Sequence, residues 1–433
     1  MTPTTQQLGL REVLQLKPVR RLWLAQLVSV FGDFLAIFAV ITHVSFNLHA
    51  SATEVTLISV SFLLPFAVIG PVVGVFVDRW NVKRTMIASD LIRAGLVLLL
   101  IAAGNLGGVY AILFALSVVS TFFVPAQTVA LRTITPPEGL MSANALMQQA
   151  MQMVRIVSPA LAAAMVGWFG AGSCYLVDCA SFFLSAALLS TLLIAREPVK
   201  PPPGSHPVRA VLDDLKTGVA FIFTHASLAF AILAMAAALF AISCFGPLLA
   251  VYVRDAVRVD PPLLRLFHYF QETDLARIKT VVFGIINALI GVGMIGGTLV
   301  TNRFARNRSK NHLVLLGLLT MGAFVLLLAG VQTALAAAVS MLGVGVGVVF
   351  VIVSAQTMMQ GQTPMELVGR VSSSVWAVLS IAQLLGLIFS GSMAQRIGVT
   401  NVFYASAAML VLMTVLGYFS LPEQTPAQPV AAG

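Results

Sequence analysis

The chain has 433 residues, of which 59% are hydrophobic and only 9% charged, and its mean hydropathy is +0.96. A soluble domain carries about 25% charged residues, so this composition excludes a soluble catalytic domain anywhere along the chain. The net charge of +9 does not point to nucleic acid, because the basic residues fall in short segments between apolar runs, where they set membrane orientation.

A membrane helix needs roughly 20 apolar residues. On that basis the first spans are expected near 22–47, 54–78, 84–104, 107–131, 143–169 and 172–195. A polar stretch at 196–217 follows, beginning Arg196-Glu197-Pro198-Val199-Lys200 and running into Pro201-Pro202-Pro203-Gly204-Ser205, which reads as a linker. From Val208 to Phe223 apolar residues recur at helical spacing, with Asp213, Asp214 and Lys216 on another face, so a helix lying at the cytoplasmic surface is expected. The second group of spans is expected near 226–252, 279–301, 311–330, 332–358, 371–394 and 399–420.

No cleavable signal peptide is expected, since the apolar run after Arg20 and Arg21 is far longer than a signal segment. Lys and Arg gather in the segments that are cytoplasmic when both termini are inside. The exception is the external loop 253–279, whose five basic residues are nearly balanced by Asp255, Asp260, Glu272 and Asp274. Cys174, Cys179 and Cys244 lie inside apolar runs and read as small core residues, with no disulfide or metal implied.

The fold expected is therefore an all-α membrane protein of twelve transmembrane helices in two six-helix, pseudo-symmetric bundles. The first bundle spans 1–195, the linker and surface helix 196–217, the second bundle 218–421, and a disordered cytoplasmic tail 422–433. An internal repeat supports the duplication. Ala126-Gln127-Thr128 recurs as Ala355-Gln356-Thr357, Thr135-Pro136 and Glu138 recur as Thr363-Pro364 and Glu366, and Gly170 matches Gly398, at offsets of 228 to 229.

Between the second and third spans the chain reads Gly74-Val75-Phe76-Val77-Asp78-Arg79-Trp80-Asn81-Val82-Lys83-Arg84, or G-x-x-x-D-R-x-x-x-K-R. Gly74 lets helices approach closely, Asp78 can face a helix N-terminus, and Lys83 and Arg84 are held on the cytoplasmic side. This pattern resembles the helix 2–3 loop signature of the major facilitator superfamily of secondary transporters. Phe31-Gly32-Asp33, Asp90-Leu91-Ile92-Arg93, Val124-Pro125-Ala126, Tyr175-x-x-Asp178-x-x-Ser181-Phe182 and Gly369-Arg370-Val371 narrow it. Together they resemble the drug:proton antiporter branch that includes enterobactin exporters and macrolide efflux proteins. Lysophospholipid transporters share the early acidic residue. The glycines of the fifth-helix antiporter signature are missing around Ser158-Pro159-Ala160.

The resemblance implies export of a small amphipathic molecule of drug, macrolide or siderophore type by alternating access, coupled to proton entry. A lipid flippase or an importer of the same fold is the alternative. It implies a multi-pass protein of the cytoplasmic membrane with both termini inside, working as a monomer against a proton gradient and among membrane lipids. No cofactor, metal or nucleic acid is expected. There is no zinc-binding His/Glu helix, no Ser-His-Asp set and no phosphate loop, so neither an enzyme nor an ATP-driven pump is expected.

Ionisable side chains at membrane depth cost about 2.5–3.5 kcal/mol each and point to function. Asp33, mid-span in the first helix, is the expected proton- or substrate-responsive carboxylate, with Arg155 of the fifth span as its expected partner. Gly74, Asp78, Arg79, Lys83 and Arg84 form the expected conformational-switch loop. Asp90, Arg93 and Asp178 are expected as a supporting charge network, Asp90 and Arg93 pairing three apart on one face and joining Asp78 and Arg79. Gly369 and Arg370 mark the matching loop of the second half.

Overall fold

The computed structural model describes residues 8–77, 80–194, 207–269, 274–304, 309–364 and 367–420. Among these there is no β-strand, only an isolated bridge between Arg258 and Thr333, and eleven helices are long and apolar enough to cross a membrane. The linker residues 196–206, the tail 422–433, and Asp78 and Arg79 of the expected switch loop lie outside the described residues. By contacts the chain divides into two compact units, one of Met1–Ala50 with Leu57–Val211 and one of Ser51–Thr56 with Leu212–Gly433.

The first unit begins with a short helix α1 (Leu10–Gln15) and then α2 (Lys17–Thr42). Pro18 in the first turn of α2 suits a helix start, where the missing N–H would have had no partner. The span expected over 54–78 is two helices end to end, α3 (Ala52–Val68) and α4 (Gly70–Val77). Pro71 removes one i→i−4 bond at the junction, while Ile69 N–H still reaches Pro65 O and Val73 N–H reaches Ile69 O. Next come α5 (Val82–Ala102), α6 (Leu106–Ile134), α7 (Leu140–Phe169) and α8 (Ala171–Ser190). Within this unit α2 packs on α7 and α8, and α5 packs on α6 and α8. Val13, Leu22, Met86, Phe123 and Leu189 are among the residues that fill its apolar core.

Two cations clamp the end of α8. Arg21 Nη1 donates to Thr191 O at 3.0 Å and Lys83 Nζ to Ser190 O at 2.6 Å. Both neutralise the negative end of that helix dipole and occupy carbonyls left without helical partners. Trp23 Nε1 ties α2 to α7 through Leu146 O at 3.0 Å.

The unit boundary falls inside α9 (Pro207–Phe223), the helix expected at the cytoplasmic surface. Ser374 Oγ donates to Leu215 O at 3.0 Å and so fastens α9 to the start of α16 (Val368–Ile397). The seventh span is α10 (Ala226–Phe245) followed, after Gly246-Pro247, by α11 (Leu248–Asp255). The loop expected to be external then holds α12 (Pro261–Tyr269) before α13 (Leu275–Phe304). Its charges are used locally. Arg254 chelates Asp255 through Nε and Nη2 at 2.7 and 2.8 Å, and Lys279 Nζ donates to Arg254 O at 2.5 Å. Asp260 Oδ2 accepts the Leu335 N–H at 2.8 Å, at the start of α15 (Ala334–Gln362). The chain is completed by α14 (Lys310–Gly330) ahead of α15 and by α17 (Val399–Ser420) after α16.

The repeat seen in the sequence is a repeat of helices. The pairs α5 and α14, α6 and α15, and α7 and α16 each match in length, and both ends of each pair lie 228 residues apart. Asn105 and Thr333, in the same register, cap α6 and α15 with their side chains. Gly170 and Gly398, also in register, end α7 and α16 with φ of 78° and 87°, a conformation that favours glycine. The Ala-Gln-Thr match lies one residue out of this register.

Candidate functional site

The polar centre of the first unit is built on Arg93, at the middle of α5. Its Nη2 donates to Asp90 Oδ1 one turn earlier, and its Nη1 lies 3.5 Å from Asp33 Oδ2 on α2. The guanidinium is sandwiched between two rings, 4.6 Å from the centroid of Phe123 on α6 and 4.4 Å from that of Phe182 on α8, an arrangement that stabilises a desolvated cation. Arg93 is 3% exposed, Asp90 fully buried, and Asp33 has 30% of its side chain exposed.

Asp178 joins the cluster from α8. It is buried and accepts a hydrogen bond from Ser181 Oγ at 3.2 Å. What brings it there is Gly32. A Cβ at that position would collide with Asp178 Oδ1 and Ser181 Oγ, and it would lie 3.0 Å from the Asp178 Cα. The missing side chain lets α8 close on α2 beside Asp33. A third buried carboxyl group thus lies beside the Asp33–Arg93–Asp90 ion pairs. Asp90 Oδ2 and Arg93 Nε have no hydrogen-bond partner among the described residues.

The pair expected between Asp33 and Arg155 is not formed, because Asp33 faces Arg93 instead. Arg155, mid-way along α7, is exposed and makes no hydrogen bond or ion pair among the described residues. Asp90 and Arg93 do pair, as their spacing implies, and they join Asp33; the expected link to Asp78 and Arg79 falls outside the described residues. Asp178, expected in the supporting network, lies against α2 beside Gly32. Phe123, Phe182 and Gly32 are the members that sequence reasoning did not assign. Gly32 and Phe182 sit inside quoted motifs beside Asp33 and Asp178.

The helical repeat supplies an internal comparison. In register, Asp90 corresponds to Leu318, Arg93 to Met321, Asp178 to Ser406 and Arg155 to Gln383. Leu318 and Met321 are fully buried core residues of α14. The same helix therefore forms and packs with an apolar pair where the first unit keeps an ion pair.

A model of the Major Facilitator Superfamily matches residues 22–383. The chain belongs to this superfamily. Its members are transporters and not enzymes, so this major facilitator chain is a multi-pass membrane protein that acts on a small-molecule substrate. It is 27% identical to the MFS-type transporter YfiS of Bacillus subtilis (strain 168), over 93% of each chain. It is 26% identical to macrolide efflux protein A of Streptococcus pyogenes, over 91% of this chain and 94% of that one. Its fold is similar to that of the nucleoside transporter NupG, with a TM-score of 0.71 at 11% identity, covering 93% of this chain and all of that one.

The described part of the major facilitator loop signature is partly structural. Gly74 lies in α4 and Asn81 caps α5, its Oδ1 accepting the Arg84 N–H at 3.0 Å. Lys83 is spent on the end of α8. Trp80 stacks on Phe122 at 5.5 Å and 13°, and with Asn81, Arg84, Thr85 and Ser89 they border a cavity of about 620 Å³. Gly369 lies in the first turn of α16, and the carbonyl of the exposed Arg370 accepts from Ser373 and Ser374 Oγ at 2.9 and 2.8 Å. Among the described residues no group of His, Cys, Asp and Glu is set to hold a metal ion, and the three cysteines are free and buried.

Proposed function

We propose that this transporter exports a small amphipathic molecule across the cytoplasmic membrane by alternating access, driven by proton entry through the Asp33–Arg93–Asp90–Asp178 cluster. One observation carries the reading. A single guanidinium binds two carboxylates at membrane depth, with a third buried acid beside them on α8, and the second repeat puts Leu318, Met321 and Ser406 at the positions of Asp90, Arg93 and Asp178. A buried ion pair is seldom kept for stability, since well-packed apolar residues of similar volume are often as good or better. The first unit keeps it at the place where protons can be exchanged through Asp33, the partly exposed member.

Arg93 can balance one carboxylate, and the remaining carboxyl groups are favourably housed only when protonated or hydrated. Proton arrival at Asp33 would weaken its attraction to Arg93 and loosen α2 from α5. Similarity to a protein named for macrolide efflux supports an amphipathic substrate of drug, macrolide or siderophore type. The distribution of Lys and Arg supports both termini in the cytoplasm, and the chain acts as a monomer on this reading. Asp78 and Arg79 complete the switch loop, so Asp78→Asn is expected to leave folding intact and strongly reduce transport.

The test is accumulation of a radiolabelled macrolide in inside-out vesicles from an overexpressing bacterium. Gradient-dependent uptake several-fold above control vesicles is expected, and a protonophore should abolish it. Uptake equal to control, or uptake indifferent to the protonophore, would remove proton-coupled export.

A further inference from the structure

One face of α7 carries side chains that lipid does not accommodate. Asn144, Gln148, Gln152 and Arg155 fall within about 80° of one another on a helix of 3.6 residues per turn, and all four are exposed. The opposite face, with Ala143, Leu146, Ala150 and Val154, is buried. The stripe is about 16 Å long at 1.5 Å per residue. It ends at Arg155, because the next residues on that face, Pro159 and Ala162, are buried and apolar. A polar track of this kind at membrane depth faces water or a ligand.

Its only charge is the Arg155 guanidinium. On the elements packed against α7, Asp33 is engaged by Arg93, Asp178 is buried with Ser181, Glu12 Oε2 is bound to the Gly9 N–H, and Glu138 precedes the helix, about 25 Å from Arg155 at 1.5 Å per residue. Gln148, Gln152 and Arg155 make no hydrogen bond among the described residues, while Asn144 turns back to Leu140 O at 2.9 Å. A guanidinium has five donors in a planar fork and no acceptor, which matches a carboxylate or phosphate. The side-chain amide of Gln152, one turn away, adds donors. Met147 and Met151, half-buried beside the stripe, offer adaptable apolar surface. The helix does not need the cation, since Gln383 stands in its place in the repeat.

We propose that Arg155, at the closed end of this stripe, recognises an anionic group (carboxylate or phosphate) on the transported amphipath. This rests on the transporter reading above and selects within it. Between amphipaths of the same shape, the one that carries the anionic group is preferred.

The test uses the full-length protein in phosphatidylcholine nanodiscs and two fluorescent probes with the same apolar body, 1-pyrenebutyrate and 1-pyrenebutyl-trimethylammonium. The anionic probe should bind at least about tenfold more tightly, a difference of about 1.4 kcal/mol. Arg155→Gln should erase that preference and Arg155→Lys should retain most of it. Equal or reversed affinities in the wild type, no saturable binding of pyrenebutyrate at millimolar concentration, or a preference that survives Arg155→Gln would overturn the proposal. A second readout guards against misfolding of the variant. With Gln152→Cys in a background lacking the three native cysteines, a membrane-impermeant anionic methanethiosulfonate should react several-fold faster than a cationic one. Both rates are normalised to those with a free thiol, and pyrenebutyrate should protect the site. Equal normalised rates, or no labelling, would count against it. Equilibrium binding needs no gradient and no turnover, so a failure of the export reading leaves this result standing. Loss of the anion preference with gradient-driven macrolide uptake intact would refute Arg155 recognition alone.

Discussion

Transplanting the second repeat's solution into the first isolates what the ion pair is for. Asp90→Leu combined with Arg93→Met installs the residue types found at Leu318 and Met321, in the same helical register. Asp90→Leu alone strands Arg93, which is 3% exposed and whose remaining acid partner Asp33 is 3.5 Å away. Breaking a buried pair from one side costs about 3–5 kcal/mol. Removing both charges leaves a Met side chain between Phe123 and Phe182, where sulfur–aromatic contacts of about 0.3–1.5 kcal/mol replace the cation–π contacts. The double variant, in which Asp33 and Asp178 keep their protons, should therefore recover most of the stability lost in the single one.

Thermal unfolding followed by a thiol-reactive dye reads this directly, because Cys174, Cys179 and Cys244 are all buried and label only as the fold opens. For a unit of roughly 200 residues, a loss of about 3 kcal/mol lowers the midpoint by about 6–12 °C. The single variant should show that drop and the double variant should not, while gradient-driven transport is lost in both. A double variant as unstable as the single one would show that the pair is structural. A double variant that still couples transport to the gradient would refute its role in coupling.

Two further outcomes test the packing around the site. Gly32→Val forces a side chain into the space held by Asp178 and Ser181; overpacking of this kind costs about 1–3 kcal/mol, so the same melting assay should show a clear loss, whereas Gly167→Ala, with nothing within 4 Å of its added methyl, should melt like wild type. Lys83→Ala removes a cation from the end of α8 and should cost about 0.3–1 kcal/mol, deepening when Arg21→Ala is added; an unchanged midpoint in the double variant would show that these contacts are idle.

The helices were legible because lipid demands long apolar runs, and the offset of 228 was visible in Thr135-Pro136 and Gly170 before any helix end was known. The breaks were less so. Gly70-Pro71 and Gly246-Pro247 are both stop signals, but each lies within a continuous apolar stretch that reads as one span. The partners of Asp33 were not legible. Spacing shows that Asp90 and Arg93 share a face, yet which face of α5 turns toward α2 is set by packing of α2, α5 and α8. Gly32 is the sequence signal that helps, a residue without a side chain next to a buried acid. The polar stripe of α7 was also readable, since Asn144, Gln148, Gln152 and Arg155 repeat at helical spacing within an apolar run.

The central claim is that Asp33 and its partners couple protons to transport. The most direct measurement compares wild type and Asp33→Asn in proteoliposomes, following uptake of a labelled macrolide with and without an imposed pH gradient. Wild-type uptake should rise several-fold with the gradient, and the variant should move substrate at a rate the gradient does not change. A variant that responds to the gradient as fully as wild type would contradict the account.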